Sequence, residues 1–220
     1  MNNTATSIDR SGGDKSPSLT VTLRGHKAEI GQTLNSTGLT LWRAAPILCQ
    51  FLINNRDSYV NDKNILELGG GLGLCGILCG MLRAKQVYIT DGDSDSLRGM
   101  RGNVEANIPQ DSESVVKCRQ LRWGARVDEF SRHIAPDVRP DGRFDVIMGS
   151  DIIYVESILD PLFATVDALL TIDGMGVFIL AYARRNVKID LVFETADKFG
   201  FEWTLPDGEE GCFVFSRRAS

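Results

Sequence analysis

A short apolar run, Asn64-Ile65-Leu66, leads into Glu67-Leu68-Gly69-Gly70-Gly71-Leu72-Gly73 and then into Leu74-Cys75-Gly76-Ile77-Leu78-Cys79, which reads as a helix. A strand, a glycine turn and a helix start in that order form a cradle. Glycines let backbone N–H groups approach a ligand with no Cβ in the way. Close helix–strand packing accounts for one or two such glycines, but not for Gly69, Gly70, Gly71, Gly73 and Gly76 together.

The rest of the chain repeats the alternation. Val87 to Asp91, Val115 to Leu121, Phe144 to Ser150 and Gly176 to Tyr182 read as further strands. Between them, Ser94 caps a helix running to Asn107 before Pro109, and Ser157 to Leu170 has helical apolar spacing. Val187 to Phe199 is a helix ended by Gly200. Phe201 to Thr204 and Cys212 to Phe215 form an antiparallel pair around Asp207-Gly208. Upstream, Leu19 to Leu23 alternates like a strand, and Leu39 to Ile53 has helical spacing. Residues 126–143 give no clear pattern. Alternating strands and helices imply an α/β protein whose mostly parallel sheet is covered on both faces. Residues 1–18 are polar and read as a disordered tail, leaving 19–220 as one domain.

Two ligand chemistries fit the glycine loop. Gly71-Leu72-Gly73-Leu74-Cys75-Gly76 matches a dinucleotide fingerprint, with Asp91 at the distance expected of a ribose ligand. Glu67 separates the two, because a carboxylate at the strand end repels a pyrophosphate but attracts an ammonium. S-adenosyl-L-methionine carries an amino group and a sulfonium and no phosphate, so the loop points to that cofactor and to a methyltransferase. Asp91 can accept both hydroxyls of an adenosyl ribose; its other reading is a turn residue in Asp91-Gly92-Asp93-Ser94. Trp123 can stack on adenine or fill the core; Trp42 could be plain core too. Ser150-Asp151-Ile152-Ile153-Tyr154 follows the fourth strand of the series. Asp151 and Tyr154, three apart, can point into one pocket at a tight turn, and a carboxylate beside a phenol suits a cationic acceptor. Lysine must lose its proton before attack, its reference pKa being about 10.4. The plainer alternative makes Asp151 a helix cap and Tyr154 a core residue.

Taken in order, Thr37 to Ala45, Leu66 to Gly73, Ile89-Thr90-Asp91, Asn103-Val104-Glu105-Ala106-Asn107, Leu121 to Gly124 and Phe144 to Tyr154 resemble the seven-β-strand, class I, non-SET protein-lysine methyltransferases with an Asp-x-x-Tyr motif. The resemblance runs from about Val21 to Phe215. It implies a Rossmann-like fold with a mostly parallel seven-stranded sheet, an antiparallel C-terminal hairpin and helices on both faces. It also implies cofactor contacts at Trp42, Glu67, Gly69, Gly70, Gly71, Asp91, Trp123 and Ser150, where the family often has alanine. Asp151 and Tyr154 are the implied catalytic pair bordering a lysine channel. The expected reaction is methyl transfer from S-adenosyl-L-methionine to a protein lysine, leaving S-adenosyl-L-homocysteine. Protein substrates of the family include chaperones and elongation factors. A histidine or small-molecule acceptor, or a non-catalytic cofactor-binding module, are the alternatives.

Composition narrows the partners. The 220 residues carry a formal net charge of -5, a poor match to a nucleic-acid binder. Arg119, Arg122, Arg126, Arg132, Arg139 and Arg143 read as solvated surface. No apolar run is long enough to span a bilayer, and no signal-peptide pattern opens the chain. Five cysteines without paired spacing suggest reduced core thiols, and with two histidines no metal site is expected. These features lead us to expect a cytoplasmic protein, with the nucleus as a second compartment.

Overall fold

The computed structural model describes residues 2–8, 19–25, 43–183 and 187–219. In chain order the strands are β1 (Asn2–Ile8), β2 (Leu19–Gly25), β3 (Asn64–Glu67), β4 (Gln86–Asp91), β5 (Val115–Gln120), β6 (Val146–Ser150), β7 (Val177–Ala181), β8 (Phe201–Thr204) and β9 (Cys212–Arg217). The helices are α1 (Ala44–Asn54), α2 (Arg56–Tyr59), α3 (Leu74–Met81), α4 (Ser94–Asn107), α5 (Val127–Ile134), α6 (Leu159–Leu169) and α7 (Ile189–Lys198), with a 3-10 turn at Glu156–Ile158 before α6.

Seven strands form one sheet in the order β5-β4-β3-β6-β7-β9-β8. The first five run parallel, and β9 and β8 close the edge antiparallel. The central strands are apolar on both faces because each face has its own layer of helices. Ile65, Val87, Ile89, Val146, Met148 and Ile179 pack under α1, α3 and α4. Their alternate neighbours Leu66, Tyr88, Ile147, Phe178 and Leu180 pack under α6 and α7. A strand covered twice cannot show the polar alternation of a one-sided sheet. The expected Rossmann-like α/β architecture is therefore the observed one. From β3 the chain winds outward through β4 to β5, then returns to place β6 on the other side of β3. That reversal opens a crevice outside the carboxyl ends of β3 and β6, where open α/β sheets bind ligands.

Three local details differ from the sequence reading. Asn2–Ile8, placed there in a disordered tail, pairs antiparallel with β2 from Asn2↔Gly25 to Ile8↔Leu19. The cap of α4 is Asp93 and not Ser94: the Asp93 carboxylate accepts from Ser96 N–H and Ser96 Oγ, both at 2.8 Å. A shift of one residue gives the cap a carboxylate with two donors in reach. The stretch without a pattern contains α5, entered through Arg126 in the left-handed region (φ 55°).

Phe163 of α6 is fully buried, and the rings of Phe178, Phe199, Phe201 and Phe215 surround it at 5.7 to 6.2 Å between centroids. It joins α6 to the sheet and to the C-terminal hairpin. We expect Phe163→Ala to lower stability by about 3–5 kcal/mol in urea denaturation. A loss below about 1 kcal/mol would mean that the ring cluster is not a packing centre.

Candidate active site

Gly73 is the N-cap residue of α3 and has no side chain to bond the first turn. Glu67 at the end of β3 does so instead, its Oε2 accepting from Gly76 N–H at 2.8 Å. The approach depends on bare backbone: a Cβ on Gly76 would lie 2.5 Å from Ile89 Cγ1 and 2.7 Å from Glu67 Oε2. Glu67 is only 2% exposed. Burial pushes its carboxyl up to about 8, and the Asp91 charge adds to the rise, while the Gly76 N–H opposes it. The side chain thus faces the interior of the loop, against α3. Close by, the Cys49 and Cys75 sulfurs are 3.8 Å apart, and all five cysteines are buried free thiols.

Asp91 ends β4 beside the loop. Its Oδ2 accepts from Gly71 N–H at 3.1 Å and its Oδ1 from Asp93 N–H at 3.0 Å. Burial raises its carboxyl above the ordinary range, against these backbone bonds. Gly69, Gly70 and Gly71 are partly open to solvent, and Gly69 and Gly71 have φ of 62° and 53°. Trp123 is half-buried after β5, and its ring edge would lie 3.4 Å from a Cβ on Gly69. Open loop backbone, a carboxylate and an indole therefore meet at one place. That set suits a nucleoside: edges and hydroxyls for the carboxylate, a flat face for the indole. With Glu67 turned inward against α3, Asp91 is the acid at the open side of the loop, and it suits hydroxyls better than a phosphate.

On the far side of the crevice, β6 ends at the half-buried Ser150. Asp151 follows with φ 54°, left-handed, and is 7% exposed. Its N–H donates to Ala181 O at 3.0 Å. Its Oδ2 accepts from Ala44 N–H at 3.1 Å and its Oδ1 from Ala183 N–H at 3.4 Å. Asp151 does cap a helix, but a distant one: it holds the first turn of α1. Ile152 and Ile153 are buried, whereas Tyr154 is 54% exposed. Asp151 and Tyr154 therefore face different surroundings, one inside and one at the surface.

The site residues foreseen from sequence cluster at the carboxyl ends of β3, β4, β5 and β6; Trp42 lies outside the described residues. Sequence reasoning gave no site role to Ala44 or Ala183, whose backbone N–H groups hold Asp151. Backbone donors leave no trace in residue type, so no signal could have found them. It also gave none to Asn103, whose side-chain amide donates to Leu72 O in the loop at 3.0 Å. The signal for that was the pair Asn103 and Asn107, two asparagines one helical turn apart on α4.

The family model described as lysine methyltransferase matches residues 26–199, so the chain belongs to that family. It is 34% identical to protein N-lysine methyltransferase METTL21A of Danio rerio, over 67% of this chain and 63% of the relative. To protein-lysine N-methyltransferase EFM3 of Chaetomium thermophilum it is 32% identical, over 77% of this chain and 49% of the relative. The chain thus spans between about half and two-thirds of these curated relatives. Among solved structures, the ribosomal protein L11 methylase of Lactobacillus delbrueckii superposes with a TM-score of 0.56 at 19% identity, covering 80% of this chain and 79% of that one. A putative methyltransferase complexed with S-adenosylhomocysteine, SMU.776, superposes at 0.57 and 14% identity, covering 80% and 49%. These two likenesses concern the fold.

Glu67 makes stability depend on pH. Unfolded, it ionises near its ordinary 4.5; folded, near 8. Between those values the folded state holds a proton that the unfolded state has lost, so stability falls as pH rises through this window. Glu67→Gln keeps an acceptor for Gly76 and removes the titration. The difference in melting temperature, variant minus wild type, is expected to grow from pH 5 to pH 8. A flat difference would show that Glu67 titrates like an exposed carboxylate.

Proposed function

We propose that the chain binds S-adenosyl-L-methionine and transfers a methyl group to the ε-amine of a lysine in another protein, releasing S-adenosyl-L-homocysteine. When bound, the cofactor supplies an electrophilic methyl on a sulfonium. The observation that carries the reading is the convergence of the Gly69–Gly71 loop, Asp91 and Trp123 opposite Asp151, in a chain of the lysine methyltransferase family. Asp91 takes the ribose hydroxyls, Trp123 borders the adenine, and the open backbone of Gly69, Gly70 and Gly71 takes the amino-acid end. Ser150, at the end of β6, lines the reacting end, and the buried Glu67 sets the loop from beneath.

On the acceptor side the chain orients an amine and removes its proton. The Asp151 carboxylate is held at both oxygens and does not swing, so its charge acts from a fixed point. The exposed Tyr154 ring borders the entry. Direct displacement needs no covalent enzyme intermediate, so positioning and exclusion of water supply most of the rate. A protein substrate is supported by the relatives' printed names; among the described residues no helix is long and apolar enough to cross a membrane.

The test is incubation with a methyl-labelled donor and cell lysate, then mass spectrometry of labelled bands. Trimethyl-, dimethyl- or monomethyl-lysine on a protein supports the reading; label confined to small molecules or to histidine overturns it. Asp91→Ala is expected to weaken S-adenosylhomocysteine binding by about 2 kcal/mol in calorimetry, the scale of a charge-assisted bond. Unchanged affinity with a lower melting temperature would make Asp91 a turn residue only. Asp151→Asn keeps one acceptor and removes the charge. We expect transfer to fall more than tenfold while product affinity changes less than threefold. Full activity would leave Asp151 with its cap of α1 alone.

A further inference from the structure

We infer that Asn103 is a positioning residue that couples the N-terminal strand β2 to the cofactor loop. This rests on the reading of that loop as the cofactor site. Along β2, Val21 and Leu23 are buried in the core, which turns Thr22 and Arg24 outward. The backbone of these two residues meets side chains of α4 in place of another strand. Asn107 Oδ1 accepts from Thr22 N–H and Asn107 Nδ2 donates to Thr22 O, both at 2.8 Å. Asn103 Oδ1 accepts from Arg24 N–H at 2.8 Å. The spacings match: two strand residues rise about 6.7 Å and four helical residues about 6 Å. Two asparagines one turn apart can therefore read alternate residues of a strand running antiparallel to their helix. A side-chain amide offers the same donor and acceptor as a peptide group.

Asn103 does more than Asn107. It is 1% exposed, and its Nδ2 reaches past β2 to donate to Leu72 O at 3.0 Å, with Arg24 O at 3.4 Å. Leu72 lies between Gly71, held by Asp91, and Gly73, the N-cap of α3. One amide thus touches the strand through both its oxygen and its nitrogen, and the loop through the nitrogen. Releasing the strand frees the amide to rotate, and releasing the amide frees Leu72 O. Coupling of this kind is reciprocal, so a ligand on the loop must also tighten β2.

The experiment compares three variants by calorimetry with S-adenosylhomocysteine and by hydrogen exchange. Asn107→Ala frees Thr22 of β2 but keeps the bonds of Asn103 to Arg24 and to Leu72. Asn103→Ala releases both. Asn103→Asp keeps an acceptor for Arg24 N–H and lacks the donor for Leu72 O and for the longer contact to Arg24 O. Both Asn103 variants are expected to bind the product at least tenfold more weakly and to exchange faster at the Leu72 and Gly73 amides. For Asn107→Ala we expect affinity within threefold of wild type. In the wild type, product binding should slow exchange at Arg24, and in Asn103→Asp it should not. If Asn103→Ala does not fold, Asn103→Asp carries the comparison. Equal weakening in all three variants, or wild-type affinity in Asn103→Asp, overturns the coupling. If the wild-type chain binds no product at all, the cofactor reading fails, and loop exchange unchanged in Asn103→Asp would overturn the coupling on its own.

Discussion

The bond from Gly76 N–H to the Glu67 carboxylate is the constraint on which the working end of this molecule depends. Helix α3 begins with a glycine and cannot cap itself. A donor left unpaired in a first turn this deeply buried would cost about 1–3 kcal/mol. The acid that satisfies it comes from the strand just before the loop, so the bond closes the loop on itself. It fixes where the helix starts relative to β3, and it demands that position 76 carry no Cβ. The cost falls on the acid, which burial holds mostly protonated near neutrality. The residue that seemed placed to meet a ligand thus first builds the surface that the ligand would meet.

Once α3 is set, the remaining backbone of the loop is fixed from three sides. Gly73 N–H closes back on Gly70 O at 2.7 Å, Gly70 N–H extends the ladder to Thr90 O at 2.8 Å, and Gly71 N–H is taken by Asp91. Leu72 O goes to Asn103. Apart from the turn that Gly73 closes on Gly70, these bonds come from β4 and α4, so the loop is held without side chains of its own. Such a loop can be both tight and open, because its strength lies behind the surface and its glycines keep the front clear. Preorganisation of this kind reduces the ordering that a ligand must impose.

The sheet was legible because its strands are apolar on both faces and short, and because helices of opposite pattern separate them. The placing of β6 beside β3 was not read from the sequence, because it is a pairing between strands far apart in the chain that residue type does not encode. Asn2–Ile8 was illegible for a physical reason: its residues are mostly polar, and its strand form comes from pairing with β2, a contact that composition does not encode. The same limit applies in the site. Glycines, Asp91 and Trp123 announce themselves by residue type and spacing. The partners of Asp151 do not, since one is a backbone N–H 107 positions away and another 32 positions away.

Asp151 shows how two readings of one residue combine. A non-glycine residue at φ 54° carries strain of about 1–3 kcal/mol and persists only where its surroundings over-determine it. Here they do: its N–H is tied to the end of β7, one carboxylate oxygen to α1 and the other to the residue after Tyr182. A single residue therefore ties the end of β6 to the start of α1 and to the end of β7. Capping α1 does not compete with a role in the chemistry, because a carboxylate anchored at both oxygens is a charge of fixed position. Tyr154 lies beyond the buried pair Ile152-Ile153 and reaches solvent. The three-residue spacing thus divides the motif instead of joining it. The acid sets the inner wall, and the phenol faces whatever approaches from outside.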